Sequence, residues 1–189
     1  MQLLYMQDRL PETELTVKAV GNTWNWQYTY PDYENIEEII SNPLDETQSK
    51  VQGKPYLLGT DAPLVVPVGT KVKVLVTSVN NMHAWAVPSF GVKMDAVPGI
   101  INQTWFEVYE EGTYYGQCSE ICGALHYKMP IEVKVVSKAE FARCNIRFQA
   151  RTLCTVRLSR RLNPDRSPHT LDAIIIRHRL PCEERHRAM

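Results

Sequence analysis

Gly21-Asn-Thr-Trp24-Asn-Trp26-Gln-Tyr28-Thr-Tyr30 sets an aromatic ring at every second position from Trp24 onward. A period of two is the side-chain repeat of an extended strand, so all four rings are expected on one face of a β-segment. Upstream, Thr16–Val20 is predicted to open a strand, and downstream Pro31-Asp32 ends the aromatic run as a turn. Residues 34–55 are acidic and polar without a clear period. They are expected to form a long surface loop, with a short helical turn around Ile36–Ile40. Pro63–Pro67 and Val72–Ser78 are predicted strands joined at Gly69, the second marked by alternating Val72, Val74 and Val76. Further strands are expected at Thr104–Tyr109, Gly112–Gln117 and Ile131–Val136. Short strands at this spacing, punctuated by Gly and Pro and without an internal repeat, predict an all-β Greek-key sandwich or barrel.

Composition bounds the function classes. Hydrophobic residues make up 44% and charged residues 22% of 189 residues, the profile of an ordinary globular protein. No stretch approaches the roughly 18 uninterrupted apolar residues of a membrane-spanning helix. The opening MQLLYMQDRLPETE also lacks the apolar core of a signal peptide. The zero net charge conceals a split. Residues 1–141 carry 10 Lys and Arg against 17 Asp and Glu, whereas residues 142–189 carry 11 Arg, no Lys and 4 acids. That change predicts a boundary at 141/142.

The chemistry lies in Cys118-Ser-Glu-Ile-Cys122-Gly-Ala-Leu-His126-Tyr-Lys-Met129. Two thiols, an imidazole and a thioether are soft or borderline ligands, a set that favours copper over hard cations. A single-copper electron-transfer site needs two His, one Cys and a weak Met, which His83, Cys122, His126 and Met129 supply. Cys118 is surplus to that recipe. Two thiolates four residues apart can bridge one pair of coppers, with one His per metal and weak axial ligands completing both. A mixed-valence pair carries +3, two thiolates reduce it to +1, and one electron brings it to neutral. Such a small charge change suits electron transfer, and no open coordination position of the catalytic kind is needed. Two other readings fit part of the pattern. Cys118 and Cys122 could form a disulfide, or a Cys2His2 set could hold structural zinc, although Met129 is a poor zinc ligand and His83 is remote in sequence.

The stretches MHAWAVPSFGVKMDAVPGIINQTWF (82–106) and YYGQCSEICGALHYKMPIEV (114–133) resemble the copper-binding domain of cytochrome c oxidase subunit II. GNTWNWQYTY resembles the aromatic strand through which that family accepts electrons. The resemblance covers roughly residues 1–140 and implies a cupredoxin-type β-sandwich. It implies Cys118 and Cys122 as bridging thiolates, His83 and His126 as imidazole ligands, and Met129 as the axial thioether of a binuclear copper (CuA) centre. The resemblance further implies that Glu120 offers its backbone carbonyl to one copper and that its side chain binds magnesium at the partner-subunit interface. It also implies that Trp24 is the surface residue that receives the electron from cytochrome c and that Asp95 belongs to the docking surface. Trp26, Trp85 and Trp105 are assigned to packing.

The implied function is electron transfer from cytochrome c to haem in subunit I, with oxygen reduced there and no catalytic residue in this chain. A copper- or zinc-binding module without redox duty is the alternative from another class. The copper domain of nitrous-oxide reductase is a third, disfavoured by the Trp24–Trp26 strand and VKMDAVPG. The sequence differs from the common family pattern at Asn80, often an acid; at Asn25, usually aromatic; and at Leu125, frequently Asn. Residues 1–13 resemble the exit from the family's second membrane helix, so the sequence is expected to be either a part of a longer product or a split subunit, with a separately supplied membrane hairpin as partner in the second case. Residues 14–141 form the expected CuA domain, on the outer face of a bacterial plasma membrane or a mitochondrial inner membrane. The Arg-rich tail, 142–189, is expected to be poorly ordered, to take no part in copper binding and to have no nucleic-acid partner.

Overall fold

The computed structural model describes Tyr5, residues 9–33 and residues 36–143. Expectations for the tail beyond 143, and most of those for 1–8, lie outside the described residues. Among the described residues the main elements follow in the order β1 (Leu15–Asn22), β2 (Asn25–Thr29), β3 (Ile39–Ser41), α1 (Glu46–Gln52), β4 (Leu64–Pro67), β5 (Lys71–Ser78), β6 (His83–Val87), β7 (Val92–Ala96), β8 (Asn102–Glu107), β9 (Gly112–Gln117) and β10 (Pro130–Val136). One sheet runs β3-β2-β1-β5-β8, a second runs β4-β10-β9, and β6-β7 forms a two-stranded ribbon.

Alternation builds the core. Along β5, Val72, Val74 and Val76 are buried while their neighbours are only partly covered, and Leu15 and Val17 do the same on β1, which is buried throughout from Ala19 to Gly21. From the second sheet Leu64, Val66, Ile131, Val133 and Val135 join one continuous cluster. Trp26 and Tyr28 enter it from β2, both fully buried. Tyr30 ties the sheets together, its hydroxyl donating to the Val65 carbonyl at 2.6 Å. Residues 138–143 turn helical after β10, and Phe141 packs on Tyr30 and Tyr33. Among the described residues no helix is long and apolar enough to cross a membrane.

Three local expectations need correction. Residues 34–55 are not one loop. Ile39–Ser41 is an edge strand paired with β2, and the helix lies at Glu46–Gln52 rather than around Ile36–Ile40. Its cause is local. Asp45 accepts from the Gln48 backbone N–H, the Gln48 side chain returns to the Asp45 N–H, and Gly53 closes the end at φ 64°. Asp45→Ala should therefore cost about 1 kcal/mol of stability in chemical denaturation. It should leave metal uptake unchanged, because α1 takes no part in the site described below.

Trp24 is the second correction. It sits in the β1–β2 turn, half-buried, so only Trp26, Tyr28 and Tyr30 share the inward face. The third is the hairpin of β6 and β7, which the strand reading omitted. All five residues of β6 are buried, so its sequence carries no period-two signal.

A buried charge braces the inner strand of the second sheet. Glu132 on β10 is 3% exposed and accepts from the Thr60 backbone N–H at 2.6 Å and from Lys54 Nζ at 3.1 Å. A buried carboxylate is tolerated only with such partners, and these fasten the segment after α1 onto β10.

Candidate metal centre

The site is assembled by three strand ends. His83 opens β6, Cys118 directly follows β9, and Met129 directly precedes β10. The loop between β9 and β10 is closed at its neck by Cys118 N–H donating to the Met129 carbonyl at 3.0 Å. Ser119 N–H donates to the Ala84 carbonyl at 3.2 Å, fastening the loop to β6 beside His83. Further along, His126 N–H donates to the Gly123 carbonyl and Lys128 N–H to the Leu125 carbonyl, turning His126 back toward the cysteines.

Five predicted ligand side chains meet there. The sulfurs of Cys118 and Cys122 lie 3.8 Å apart. His83 Nδ1 is 3.8 Å from Cys118 Sγ, and His126 Nδ1 is 3.5 Å from Cys122 Sγ, so each thiol has its own imidazole. Met129 Sδ lies 3.9 Å from Cys122 Sγ. The Glu120 carbonyl accepts from Cys118 Sγ at 3.3 Å. His83, Cys118 and Cys122 bring their ligand atoms within 4.8 Å of one another. All but His126 are nearly inaccessible: His83 and Met129 are 0%, Cys122 2% and Cys118 5% exposed.

The spacing fits metal rather than a disulfide. A disulfide bond is about 2.05 Å long. Sulfurs 3.8 Å apart instead allow one ion to touch both at the roughly 2.3 Å of a metal–thiolate bond. Burial disfavours charge on Cys122 and on His83. Burial, and then the neighbouring Cys118, push the Cys122 thiol up to about 12. Burial, and then His126, push His83 below the usual imidazole range. A metal must therefore displace thiol protons as it binds.

Other predicted residues fall around this cluster. Trp24 Nε1 donates to the Cys122 carbonyl at 3.2 Å, and Gly123 lies beneath the ring. Cys122's carbonyl also accepts from Asn81 Nδ2 at 3.4 Å. Glu120 is half-buried next to the exposed Ile121. Asp95 lies outside the cluster on β7, opposite Ala84, with its carboxylate 3.0 Å from Lys93 Nζ. Trp26 and Trp85 are fully buried, and Trp105 is half-buried on β8.

Residues 15–136 match the family described as cytochrome c oxidase subunit II, periplasmic domain. The chain belongs to that family. It is 45% identical over 140 residues to "Probable cytochrome c oxidase subunit 2" of Rickettsia prowazekii, covering 74% of this chain and 44% of the relative. With the counterpart of Rickettsia felis it shares 46% over 140 residues, at the same coverage. The chain thus spans less than half the length of these curated relatives. Among solved structures it resembles the periplasmic domain of subunit II of cytochrome oxidase of Bradyrhizobium japonicum. The TM-score is 0.68 at 42% identity, covering 76% of this chain and 99% of that one. The fold is therefore the cupredoxin-like β-sandwich of subunit II. A second structure captures subunit II in a mixed disulfide intermediate with a thioredoxin-like protein. It aligns with a TM-score of 0.65 at 41% identity, covering 78% of this chain and 99% of that one.

Several positions that build the site are silent in sequence. Gly21 on β1 faces the His83 ring, where an added Cβ would lie 2.8 Å from Cδ2. Gly116 presses β9 against the Ala86 carbonyl of β6. A glycine inside a strand is the available signal for such close approach, but it does not name the partner.

Proposed function

We propose that this subunit II domain holds a binuclear copper centre and carries single electrons from cytochrome c toward haem in subunit I. The reading rests chiefly on one observation: two thiols 3.8 Å apart, each beside its own imidazole. Cys118 and Cys122 would be shared by both metals, His83 and His126 would serve one each, and Met129 and the Glu120 carbonyl would complete the set. When bound, the copper pair supplies one-electron storage with little change in charge. The protein's part is to hold the ligands still and keep water away, which the burial of His83, both cysteines and Met129 provides. The buried thioether near Cys122 favours copper over structural zinc.

Trp24 receives the electron. Its half-exposed indole is hydrogen-bonded to the backbone of a bridging cysteine, giving a short connection from surface to metal. The acidic balance of residues 1–141 steers a basic donor toward the domain, making association salt-sensitive. Asp95 contributes to that docking face, and Glu120 binds magnesium against the partner subunit. The setting is the outer face of a bacterial plasma membrane or a mitochondrial inner membrane. The cysteines must be kept reduced before loading, as the thioredoxin-like mixed disulfide of the neighbouring structure suggests.

Stopped-flow mixing of the copper-loaded domain with reduced cytochrome c tests this reading. One electron per chain should transfer, more slowly at high salt, and Trp24→Leu should slow it sharply without lowering copper content. Unchanged transfer in Trp24→Leu would remove Trp24 from the path.

A further inference from the structure

The hydrogen bonds around Asn80 determine which nitrogen of His83 carries the proton. Thr23 N–H donates to Asn22 Oδ1 at 2.9 Å, so that atom is an acceptor. The Asn80 group facing it at 2.8 Å must then be the amide NH2, which also reaches Thr23 Oγ1. Independently, Asn81 N–H donates to the other end of the Asn80 amide at 2.7 Å, which makes that end the carbonyl oxygen. The same oxygen lies 3.2 Å from His83 Nε2. An amide oxygen brings no hydrogen to this contact, so Nε2 must carry it. His83 Nδ1 is then left with a free lone pair, on the side facing Cys118 Sγ.

We propose that Asn80 is a positioning residue for the metal centre. It holds His83 as the Nε2–H tautomer, aims Nδ1 at the metal, and ties the imidazole to the Asn22–Thr23 turn that carries Trp24. The ring is confined from its other sides by Trp26, edge-on with centroids 6.1 Å apart, and by Gly21. Rotation out of register would break the Asn80 contact and strike one of these neighbours. The amide has a second consequence. A carboxylate accepting the same Nε2–H would pull the proton and push electron density into the ring, making Nδ1 a stronger donor. A neutral acceptor leaves Nδ1 weaker and favours the reduced metal.

This proposal rests on the copper reading, so the test has a metal-free arm and a loaded arm. In the metal-free protein, nitrogen-resolved NMR of the imidazoles should show His83 in the Nε2–H tautomer alone, and Asn80→Ala should lose that preference. A mixed or Nδ1–H tautomer in the native protein, or an unchanged tautomer in Asn80→Ala, would overturn the assignment. In the copper-loaded protein, Asn80→Asp keeps the acceptor for His83 Nε2 but gives up the donation to Asn22 Oδ1, and its reduction potential should shift below that of the native chain. An unshifted potential would refute the electronic role. If the native tautomer is as stated but no copper pair forms, the copper reading fails while the Asn80–His83 assignment stands.

Discussion

Cys118→Ser is expected to reduce the copper content from two ions per chain to at most one. The electron paramagnetic resonance signal should change from a pattern shared by two nuclei to that of one. The reason is geometric. Cys118 Sγ is the sulfur beside His83, whereas Cys122 Sγ is beside His126 and Met129. Without the first thiolate, His83, Cys122, His126 and Met129 still supply a single-copper set, but no second thiolate remains to hold a second ion. The fold should survive. A serine hydroxyl can donate to the Glu120 carbonyl that Cys118 already approaches at 3.3 Å, so the buried position keeps a partner. Metal analysis with an unfolding curve separates the two effects. Retention of two coppers and a shared-electron signal in Cys118→Ser would show that this thiolate is not a bridge.

Gly116→Ala is expected to have the largest effect on stability. A Cβ there would lie 2.0 Å from the Ala86 carbonyl oxygen, 2.9 Å from its carbon and 3.1 Å from Val87 Cα. All three are backbone atoms, so no side chain can rotate aside. Neither strand can yield easily, because Gly116 is paired with Ile131 of β10 and Ala86 with Lys93 of β7. Overpacking of this kind costs about 3 kcal/mol or more, against a total of roughly 5–15 kcal/mol for a domain. A fall in Tm of roughly 10 °C is expected. The site should suffer as well, since Gly116 lies two residues before Cys118, and Ala86 three after His83. Gly99→Ala is the control. Gly99 has φ 79° but nothing within 4 Å of its Cβ position, so only backbone strain of about 1 kcal/mol is expected. Equal losses in the two variants would contradict the close-approach account.

Strands such as β1 and β5 are legible because they have one buried and one more open face. Val72, Val74 and Val76 announce β5, and Gly112–Gln117 was predicted with the bounds it has. The metal loop was legible for another reason: its ligands are contiguous, and Cys118, Cys122, His126 and Met129 need only one turn of chain to meet. β6 was not legible, since burial on every side removes the alternation that marks a strand. The helix after Asp45 was within reach of sequence reasoning, because its capping pair is local and three residues apart. Trp24 shows the limit of periodicity. It continues the aromatic alternation perfectly, yet the chain is already turning there, and the half-buried indole lies at the edge of the core, donating to the Cys122 carbonyl. Contacts across distant elements, such as Gly21 with His83 or Asn80 with the Asn22–Thr23 turn, leave no trace in local pattern.

The central claim is that Cys118 and Cys122 join two coppers into one electron-sharing centre. Copper reconstitution of the reduced protein, followed by electron paramagnetic resonance of the mixed-valence form, tests it most directly. Hyperfine splitting from a single electron spread equally over two copper nuclei is the predicted result. A single-nucleus pattern, or a silent and colourless metal-loaded protein, would contradict it.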